Sequence, residues 1–453
     1  MAKYKAYPQY KDSGVEWLGE IPLSWDMWKL SHAYEVIGSG TTPTSNNESW
    51  FQGNILWVTT GELRETVIYN TSKNISLQTL QSFPALKVHP VGSIIIAMYG
   101  ATIGRLGILG VDATTNQACC AMTKSNVINN KYLYYWLQTF RMEIINLSSG
   151  GGQPNINQEK VASLKISSPS IKDQILIAAF LDHETTKIDN LIEKQQQLIE
   201  LLKEKRQAVI SNAVTKGLNP DVPMKDSGVE WLGEIPMHWK TKAMKNICRI
   251  INGSTPKSGV EEFWDGEINW ITPTDLSQKS GPFISESIRK ITFSGFNSCG
   301  TTLVPRDSVI ISTRAPIGSL AITSIDSCTN QGCKSLVTNN AGLSKFIYYY
   351  LSILSTPLNI LGRGSTFLEL STEDLSSVKV PLPDEKINSI ISFLDQETTK
   401  IDNLLEKQQH IIQLLQERRT ALISAAVTGK IDVRNWVAPG EQAKAESPAE
   451  AFA

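Results

Sequence analysis

Residues Lys11-Asp-Ser-Gly-Val-Glu-Trp-Leu-Gly-Glu-Ile-Pro22 return letter for letter as Lys225-Asp-Ser-Gly-Val-Glu-Trp-Leu-Gly-Glu-Ile-Pro236. A second segment, Phe180 to Thr215, returns as Phe393 to Thr428 with 26 of its 36 positions identical. The two offsets, 214 and 213 residues, are nearly equal, so the chain is a two-copy tandem repeat. Because each copy must supply the same set of packing surfaces, the repeat predicts an architecture of two equivalent halves.

The stretches between the matched segments, roughly 23 to 170 and 237 to 385, share only isolated positions. Each contains a candidate central strand, Val91-Gly-Ser-Ile-Ile-Ile-Ala97 in one copy and Pro305-Arg-Asp-Ser-Val-Ile-Ile-Ser312 in the other. Each also contains a helix rich in aromatic residues, at 131–137 and at 345–351. We therefore predict two mixed α/β domains of one fold. Two nearly identical surfaces and two different ones indicate two copies of one partner and two different ligands.

The repeated segments near 171–215 and 385–428 have the strongest helical pattern, with apolar residues at three- and four-residue steps. Each helix would have about 44 residues, or roughly 66 Å at 1.5 Å per residue. A lone helix of this kind would expose its apolar stripe, so we predict that the two pack together as a coiled coil. The predicted core of this pair is Ile188, Leu191, Leu198, Leu202, Ile401, Leu404, Ile411 and Leu415.

Periodicity leaves the orientation of the two helices open. We favour an antiparallel pair, which sets the repeats head to tail about a pseudo-twofold axis. The predicted fold class is thus α/β (mixed α+β), with two globular domains separated by an antiparallel coiled coil. The predicted segments are a first domain at 1–170, a first spacer helix at 171–216, a second domain at 217–384, a second spacer helix at 385–430 and a disordered tail at 431–453.

Composition limits the function classes. The 453 residues are 41% hydrophobic and 19% charged, enough for two or three globular domains with cores. The formal net charge of −1 provides no global basic field, so any contact with DNA must be local or shared with partners. The six cysteines form no CxxC pair, and no apolar run approaches the ~20 residues that span a bilayer. We expect a cytoplasmic protein with reduced thiols.

Several landmarks occur in the same order in both copies. They are Gly40-Thr-Thr-Pro43 with Gly253-Ser-Thr-Pro256, Ile55-Leu-Trp57 with Ile268-Asn-Trp270, Tyr99-Gly-Ala-Thr-Ile-Gly104 with Arg314-Ala-Pro-Ile-Gly318, and Thr115-Asn-Gln117 with Thr329-Asn-Gln331. Together with the repeated Ser-Gly-Val-Glu-Trp-Leu-Gly-Glu-Ile-Pro segment and the Phe-Leu-Asp helix starts, they resemble the specificity subunit of type I restriction-modification systems. The resemblance covers nearly the whole chain.

The resemblance implies two target-recognition domains, each reading one half of a bipartite asymmetric DNA site and held apart by a helical spacer. It also implies two modification subunits that methylate adenine with S-adenosylmethionine, and ATP-dependent restriction subunits that translocate and cut DNA. S-adenosylmethionine, ATP and Mg are expected on those partners, and no cofactor, metal or catalytic residue is expected in this chain. The residues agree, because the chain contains no Gly-x-x-x-x-Gly-Lys-Ser/Thr phosphate loop and no Asn-Pro-Pro-aromatic methylation motif.

Base readout requires side chains that donate and accept hydrogen bonds at base edges, above all Arg at guanine and Asn or Gln at adenine. Polar residues on Gly- or Pro-marked loops are the candidates, and for each the role of a plain connector is equally open. In the first domain the predicted DNA-binding residues are Thr41, Thr42, Thr44, Tyr99, Arg105, Gln153 and Asn155. In the second they are Ser254, Thr255, Lys257, Arg314, Arg363, Ser365 and Thr366.

The repeated turns offer candidate residues for docking the modification subunit: Trp17, Glu20, Trp231 and Glu234. For the tryptophans, anchoring the start of each domain is the stronger interpretation. The alternative function for the whole chain is a coiled-coil scaffold without intrinsic DNA readout. That alternative explains the helices, but it leaves two large, diverged, loop-rich domains unexplained.

Overall fold

The computed structural model describes residues 4–44, 47–148, 155–279, 281–314, 316–362, 369–383 and 387–438. The chain divides into two compact units. Unit 1 comprises the described residues up to Gln195 and from Ile411 onward, and unit 2 comprises those from Gln196 to His410. Each unit therefore contains one globular domain together with parts of two long helices.

The domain of unit 1 is built on a five-stranded sheet whose middle strand is fully buried. Its strands in spatial order are Val36–Ser39, Cys119–Thr123, Ile94–Ala97, Leu106–Leu109 and Thr66–Ile68. Only the last pair is parallel. A three-stranded sheet has the order Ala113–Thr115, Ile55–Val58, Asn74–Ile75, and two strand pairs join Tyr10–Asp12 to Glu20–Pro22 and Asp26–Lys29 to Lys165–Ser168. The run Ile94–Ala97 confirms the predicted central strand.

The main domain helix of unit 1, Asn130–Thr139, carries the aromatic residues that fill its core. It begins where the side chain of Asn129 accepts a hydrogen bond from the Tyr132 amide, because an N-cap residue satisfies a free N–H group of the first turn. Trp136 packs against Phe140 with ring centroids 4.5 Å apart. The other short helices are Leu30–Ala33, Leu77–Ser82, Arg141–Asn146 and Gln158–Ser163, with 3-10 turns at Glu48–Phe51 and Gly100–Thr102.

The domain of unit 2 repeats this arrangement strand by strand. Its five-stranded sheet has the order Arg249–Asn252, Cys333–Val337, Val309–Ser312, Leu320–Thr323, Phe283–Ile284, and its three-stranded sheet has the order Lys290–Ile291, Trp264–Ile271, Cys328–Thr329. The strand pairs are Met224–Asp226 with Glu234–Pro236 and Lys240–Ala243 with Lys379–Leu382. Its helices are Pro273–Gln278, Phe293–Asn297, Ala341–Ser352, Ser355–Leu361 and Thr372–Ser377, with 3-10 turns at Met244–Asn246 and Glu261–Phe263. The prediction that both domains share one fold is confirmed.

The first spacer helix is Ile171–Lys216 and the second is Ile387–Val427. In unit 1 the start of the first helix packs in one core with the end of the second, where Phe180 and Leu181 join Ile423. In unit 2 the end of the first helix shares a core with the start of the second. The helices are therefore antiparallel, as predicted.

One bidentate ion pair joins the two spacer helices within each unit. In unit 1, Arg419 binds Asp189 with Nε–Oδ1 and Nη2–Oδ2 distances of 2.8 and 3.3 Å. In unit 2, Arg206 binds Asp402 at 2.7 and 3.2 Å. Arg206 and Arg419 occupy the same position of the repeat, as do Asp189 and Asp402, so both pairs are one contact made twice.

Part of the predicted helix core is wrong. Ile188 and Ile401 are buried and Leu202 and Leu415 are partly buried. The remaining four predicted positions are exposed by 38 to 46%: Leu191, Leu198, Leu404 and Ile411. A helix that pairs with a single neighbour buries one narrow stripe, and here that stripe includes Ile199 and Ile412 instead.

Each spacer helix is also tied to the aromatic helix of its own domain. In unit 1, Lys131 and Tyr135 both bind the carboxylate of Asp182, at 2.5 and 2.9 Å. In unit 2, Lys345 and Tyr349 bind Asp395 at 2.6 and 2.7 Å. These repeated contacts orient each domain on its helix.

The tail predicted to be disordered from residue 431 is packed in its first part. Ile431 and Val433 are buried, and the Trp436 ring lies 5.7 Å from that of Phe180. Lys5 pairs with Asp432, so this segment meets the start of the chain within unit 1. The prediction missed this contact because it joins residues more than 400 positions apart. Within the described ranges, no helix combines the length and apolar character of a membrane span.

Candidate nucleic-acid interface

In unit 1 the Gly40-Thr-Thr-Pro loop lies directly against the Thr115-Asn-Gln loop. A Cβ atom on Gly40 would be 1.7 Å from the carbonyl oxygen of Thr115, so only glycine permits this approach. The Thr42 hydroxyl donates to Oε1 of Gln117, and both side chains are exposed. The Trp57 indole N–H donates to the Thr41 carbonyl at 3.1 Å and so anchors the loop.

Unit 2 builds the same pair of loops. A Cβ atom on Gly253 would be 2.0 Å from the carbonyl oxygen of Asn330. The Thr255 hydroxyl donates to Oε1 of Gln331, and the Trp270 indole donates to the Ser254 carbonyl at 2.9 Å. Two landmark loops that are far apart in the sequence thus meet at one surface in each domain. We call this surface the reading face, and it comprises residues 40–43 and 115–117 in unit 1 and residues 253–256 and 329–331 in unit 2, with the side chains beside them.

The two reading faces differ at one shared position. In unit 1, Tyr99 forms a β-bridge with Asn155, and its hydroxyl donates to the Gln117 carbonyl at 2.5 Å. In unit 2 the same bridge is formed by Arg314 and Glu369, whose side chains make an exposed ion pair at 3.3 Å. One face therefore presents a phenol and an amide where the other presents a guanidinium and a carboxylate.

A second difference lies beside the first. Lys334 of unit 2 is buried at the edge of the face, and its Nζ donates to Oδ1 of Asn252 at 3.0 Å. Burial lowers the pKa of Lys334, while the nearby Glu369 opposes that shift. The corresponding residue in unit 1 is the buried Cys120, whose thiol pKa is raised to about 12 by burial. The buried side chain at this position is thus an amine in one domain and a thiol in the other.

The other predicted DNA-binding residues have simpler surroundings. Thr44 and Lys257 are exposed, and Arg105 is half-buried on the turn after the 3-10 segment Gly100–Thr102. Four predicted residues lie outside the described residues: Gln153, Arg363, Ser365 and Thr366. For all of them, contact with DNA stays a prediction.

Four residues of the reading faces were not selected from the sequence: Gln117, Gln331, Glu369 and Lys334. The repeated Thr-Asn-Gln landmark was a usable signal for the two glutamines, because each follows a short strand at the same place. Its asparagine is structural, since Asn116 and Asn330 accept hydrogen bonds from the amides two residues later. No local sequence pattern predicts the contact between Arg314 and Glu369, because the two residues lie 55 positions apart.

The predicted docking residues lie in the repeated turns near the spacer. Trp17 is half-buried and packs on Phe140 with ring centroids 5.0 Å apart, which supports the anchoring interpretation for this residue. Trp231 is 45% exposed, and Glu20 and Glu234 are exposed on their two-stranded hairpins. Their role in docking stays a prediction.

The described residues contain no cluster of three or more His, Cys, Asp or Glu side chains that could hold a metal ion. The buried cysteines have raised pKa values, about 12 for Cys248 and Cys328, because burial disfavours the thiolate. A thiol in this state is a poor nucleophile at neutral pH.

Comparison with known proteins gives one consistent family. The model of the type I restriction modification DNA specificity domain matches residues 22–202 and 236–413. The type I restriction enzyme MjaIX specificity subunit of Methanocaldococcus jannaschii is 34% identical over 185 residues, which are 39% of this chain and 43% of that relative. The MjaVIII specificity subunit of the same organism is 20% identical over 434 residues, 92% of this chain and 95% of that one.

The fold has a solved counterpart. A chain in a structure concerned with complex assembly and conformational transition of the type I R-M system superposes with a TM-score of 0.73 at 18% identity. The superposition covers 91% of this chain and 99% of that one. The family model, matched once in each copy of the repeat, covers more than half of the sequence. The chain therefore belongs to the family of type I restriction-modification DNA specificity subunits.

Proposed function

We propose that this chain reads a bipartite asymmetric DNA site for a type I restriction-modification complex, one half with each domain. The observation that carries the proposal is the pair of reading faces, which share one loop construction and differ in the side chains they present. Asn and Gln can bind adenine in the major groove, Arg can bind guanine, and a carboxylate can accept from the cytosine amino group. Tyr99 with Asn155 and Arg314 with Glu369 therefore suit different bases, so the half-sites should differ.

The spacer helices support a fixed gap between the half-sites. Both helices are continuous, and each unit locks their register with a bidentate Arg–Asp pair. A register fixed at two places resists sliding of one helix along the other. The gap should therefore depend on the number of residues in the helices and be independent of the reading faces.

The partner proposal rests on an apolar surface that both helices repeat. Leu191, Leu198 and Leu201 are exposed by 46, 39 and 61%, and their repeat counterparts Leu404, Ile411 and Leu414 by 43, 38 and 49%. In each helix the three residues share one face, since their spacing of seven and three returns to a similar angle. We call each set an exposed triad. Exposed apolar patches of this kind mark protein interaction sites, and two equal copies suit two modification subunits.

The remaining chemistry belongs to partners in this proposal. The modification subunits would hold S-adenosylmethionine and methylate adenine, and the restriction subunits would use ATP and Mg. This chain would supply recognition without catalysis and act on DNA in the cytoplasm. Its net charge of −1 provides no global basic field, so partner subunits would supply a share of the phosphate contacts.

The test is to express the chain with its modification subunit and map adenine methylation across a genome. We expect one split motif with unlike halves. A spacer variant with four residues inserted in each helix, after Gln197 and after His410, should lengthen the gap by about two base pairs, because four residues add ~6 Å. Its half-sites should be unchanged. Genome-wide absence of a motif would favour a scaffold without DNA readout. A changed half-site in the spacer variant would contradict the proposal that the helices set the gap while the domains alone read the half-sites.

A further inference from the structure

An exposed cation lies over an aromatic ring in each domain. In unit 2 the guanidinium carbon of Arg289 lies 3.7 Å from the centre of the Trp264 ring. In unit 1 the ammonium nitrogen of Lys73 lies 5.2 Å from the centre of the Phe51 ring. Both distances are within the ~6 Å at which a cation is attracted to the face of a ring. The rings therefore hold the two cations in place at the surface.

The two contacts occupy the same positions of the repeat. In each domain one pair of isoleucines joins two neighbouring strands, Ile55 with Ile75 in unit 1 and Ile268 with Ile291 in unit 2. The ring lies four residues before the first isoleucine of the pair, and the cation lies two residues before the second. The two cations are therefore repeat counterparts, and so are the two rings.

A second ring connects each cation to the reading face of its domain. The Trp264 ring contacts that of Trp270 with centroids 5.1 Å apart, and Trp270 is the indole that donates to the loop of residues 253–256. The Trp264 indole also donates to the backbone carbonyl that directly follows this loop, at 3.4 Å. In unit 1 the Phe51 ring contacts that of Trp57 at 5.4 Å in the same way. Each cation thus lies beside the loop that builds the reading face.

The protein leaves both cations without a partner anion. Among the described residues, no carboxylate forms an ion pair with Lys73 or Arg289, and their side-chain N–H groups donate no hydrogen bond. By contrast, Arg314 of the same unit is paired with Glu369. A guanidinium presents five N–H donors in a fixed fork that matches the oxygens of a phosphate. Arg289 therefore presents these donors to an anion outside the chain.

The charge at this position is kept in both copies, whereas the side chains at the reading faces change. The bridge position changes from Tyr99 to Arg314, and the buried position beside it changes from Cys120 to Lys334. The cation changes only from lysine to arginine. Phosphates are the same at every DNA sequence, while the base edges differ. A residue that binds phosphate should therefore keep its charge in two domains that read different half-sites.

We propose that Arg289 and Lys73 each bind a phosphate of the DNA backbone and so fix where the neighbouring reading face lies on the duplex. This proposal rests on the proposed function, because it takes duplex DNA as the ligand of both faces. Phosphate contacts set the register and orientation of a protein on DNA and carry no sequence information. The chain has a formal net charge of −1, so an unpaired cation beside the reading face supplies locally the attraction that the whole chain lacks.

The first test measures the salt dependence of DNA binding by the chain in complex with its modification subunits. Two duplexes are compared, one that contains the methylation motif and one of unrelated sequence. Arg289→Ala should weaken binding to both by the same factor of about ten, the loss expected for one hydrogen-bonded charge pair. The slope of log K against log salt should fall in magnitude by about 1. Lys73→Ala should have the same effects, and Arg289→Lys should retain the slope because it keeps the charge.

Arg306→Ala is the matched control. Arg306 is an exposed arginine of unit 2 that precedes the strand Val309–Ser312, whereas Arg314 follows that strand, so the control lies at the strand end away from the reading face. Its removal should leave both the affinity and the slope unchanged. Thermal unfolding would measure packing separately. If Arg289→Ala lowered only the stability and kept the slope, its contact with Trp264 would be merely structural and the proposal would be overturned.

The second test locates the phosphates. Methylphosphonates replace the phosphates of the motif duplex one at a time, and each replacement removes one charge. With the natural chain, one replacement near each half-site should weaken binding about tenfold. One of these two replacements should have no further effect in Arg289→Ala, and the other should have none in Lys73→Ala. Losses that multiply at every position would show that neither cation binds a phosphate.

The outcomes separate this proposal from the function on which it rests. A methylation motif together with an unchanged slope in both alanine variants would overturn the phosphate contacts and leave base reading intact. Absence of a motif would refute the bipartite reading, and the slope on the unrelated duplex would still decide the phosphate contacts. A loss confined to the motif duplex would make Arg289 a base reader. Loss of a modification subunit in mass photometry would assign it to a protein contact, and either result would overturn the proposal.

Discussion

The two reading faces of this molecule have the same construction and different chemistry. In both, a glycine lets one loop approach the next, a threonine binds a glutamine, and an indole supports the loop. At the position where Tyr99 meets Asn155 in one copy, Arg314 meets Glu369 in the other. The backbone contacts thus give both faces the same shape, whereas a few side chains change the chemical groups that each face presents.

The largest expected effect comes from removing a glycine that permits the loop contact. Gly40→Ala forces a methyl group against the Thr115 carbonyl, and we expect a loss of about 3 kcal/mol or more of stability in unit 1. Methylation should then lose its preference at one half-site only. Gly253→Ala should do the same to the other half-site.

Gly38→Ala and Gly259→Ala are the matched controls, because a Cβ atom at either position meets nothing within 4 Å. Thermal unfolding and methylation mapping would measure both sets of variants. Equal loss at both half-sites after a single glycine change would show that the faces do not read independently.

The second prediction concerns the exposed triads. The double variant Leu198→Glu with Leu201→Glu should weaken the binding of one modification subunit more than tenfold, because two carboxylates would have to be buried in the interface. The complex seen by mass photometry should then contain one modification subunit instead of two. Ile411→Glu with Leu414→Glu should have the same effect through the other copy.

Gln196→Glu adds a carboxylate to the first helix away from its triad and should preserve two modification subunits. If both double variants retain two subunits, docking uses another surface, with the repeated turns at Trp17 and Trp231 as the first alternative.

The third prediction tests the chemical difference between the two reading faces. Arg314→Ala should relax one base of the second half-site and cost about 1–3 kcal/mol of discrimination, as expected for loss of a bidentate base contact. Arg306→Ala removes another ion-paired arginine from the same unit and should leave the motif unchanged. Methylation rates on duplexes with single substitutions would measure both, and an unaltered motif in Arg314→Ala would remove this residue from base reading.

The smallest effect is expected at the interhelical ion pairs. Both are partly exposed, so Arg206→Ala and Arg419→Ala should each cost about 0.5–1 kcal/mol in denaturant unfolding. The charge-swapped double variant Asp189→Arg with Arg419→Asp should recover part of the loss. A much larger effect in one unit than in the other would show that the two copies of this contact are not energetically equivalent.

Much of the architecture follows from the repeat and its periodicity. The central strands, the aromatic helices and the antiparallel spacer were all predictable, because they depend on local pattern and on the need to bury an apolar stripe. The exposed triads were not, since Leu198 and Ile199 both fit a helical stripe and only the geometry of a two-helix pair decides which one faces inward. The contact between Arg314 and Glu369 depends on how two segments that are distant in the sequence come together in the fold, which no local pattern predicts.

The Arg–Asp contact between the spacer helices is self-complementary. Because Asp189 and Arg206 lie on one helix and their partners are the same residues of the other copy, a half-length chain contains both members of the bond. Two molecules ending near residue 222 could form the contact twice across a true rotation axis, and sedimentation of such a fragment as a homodimer would show it.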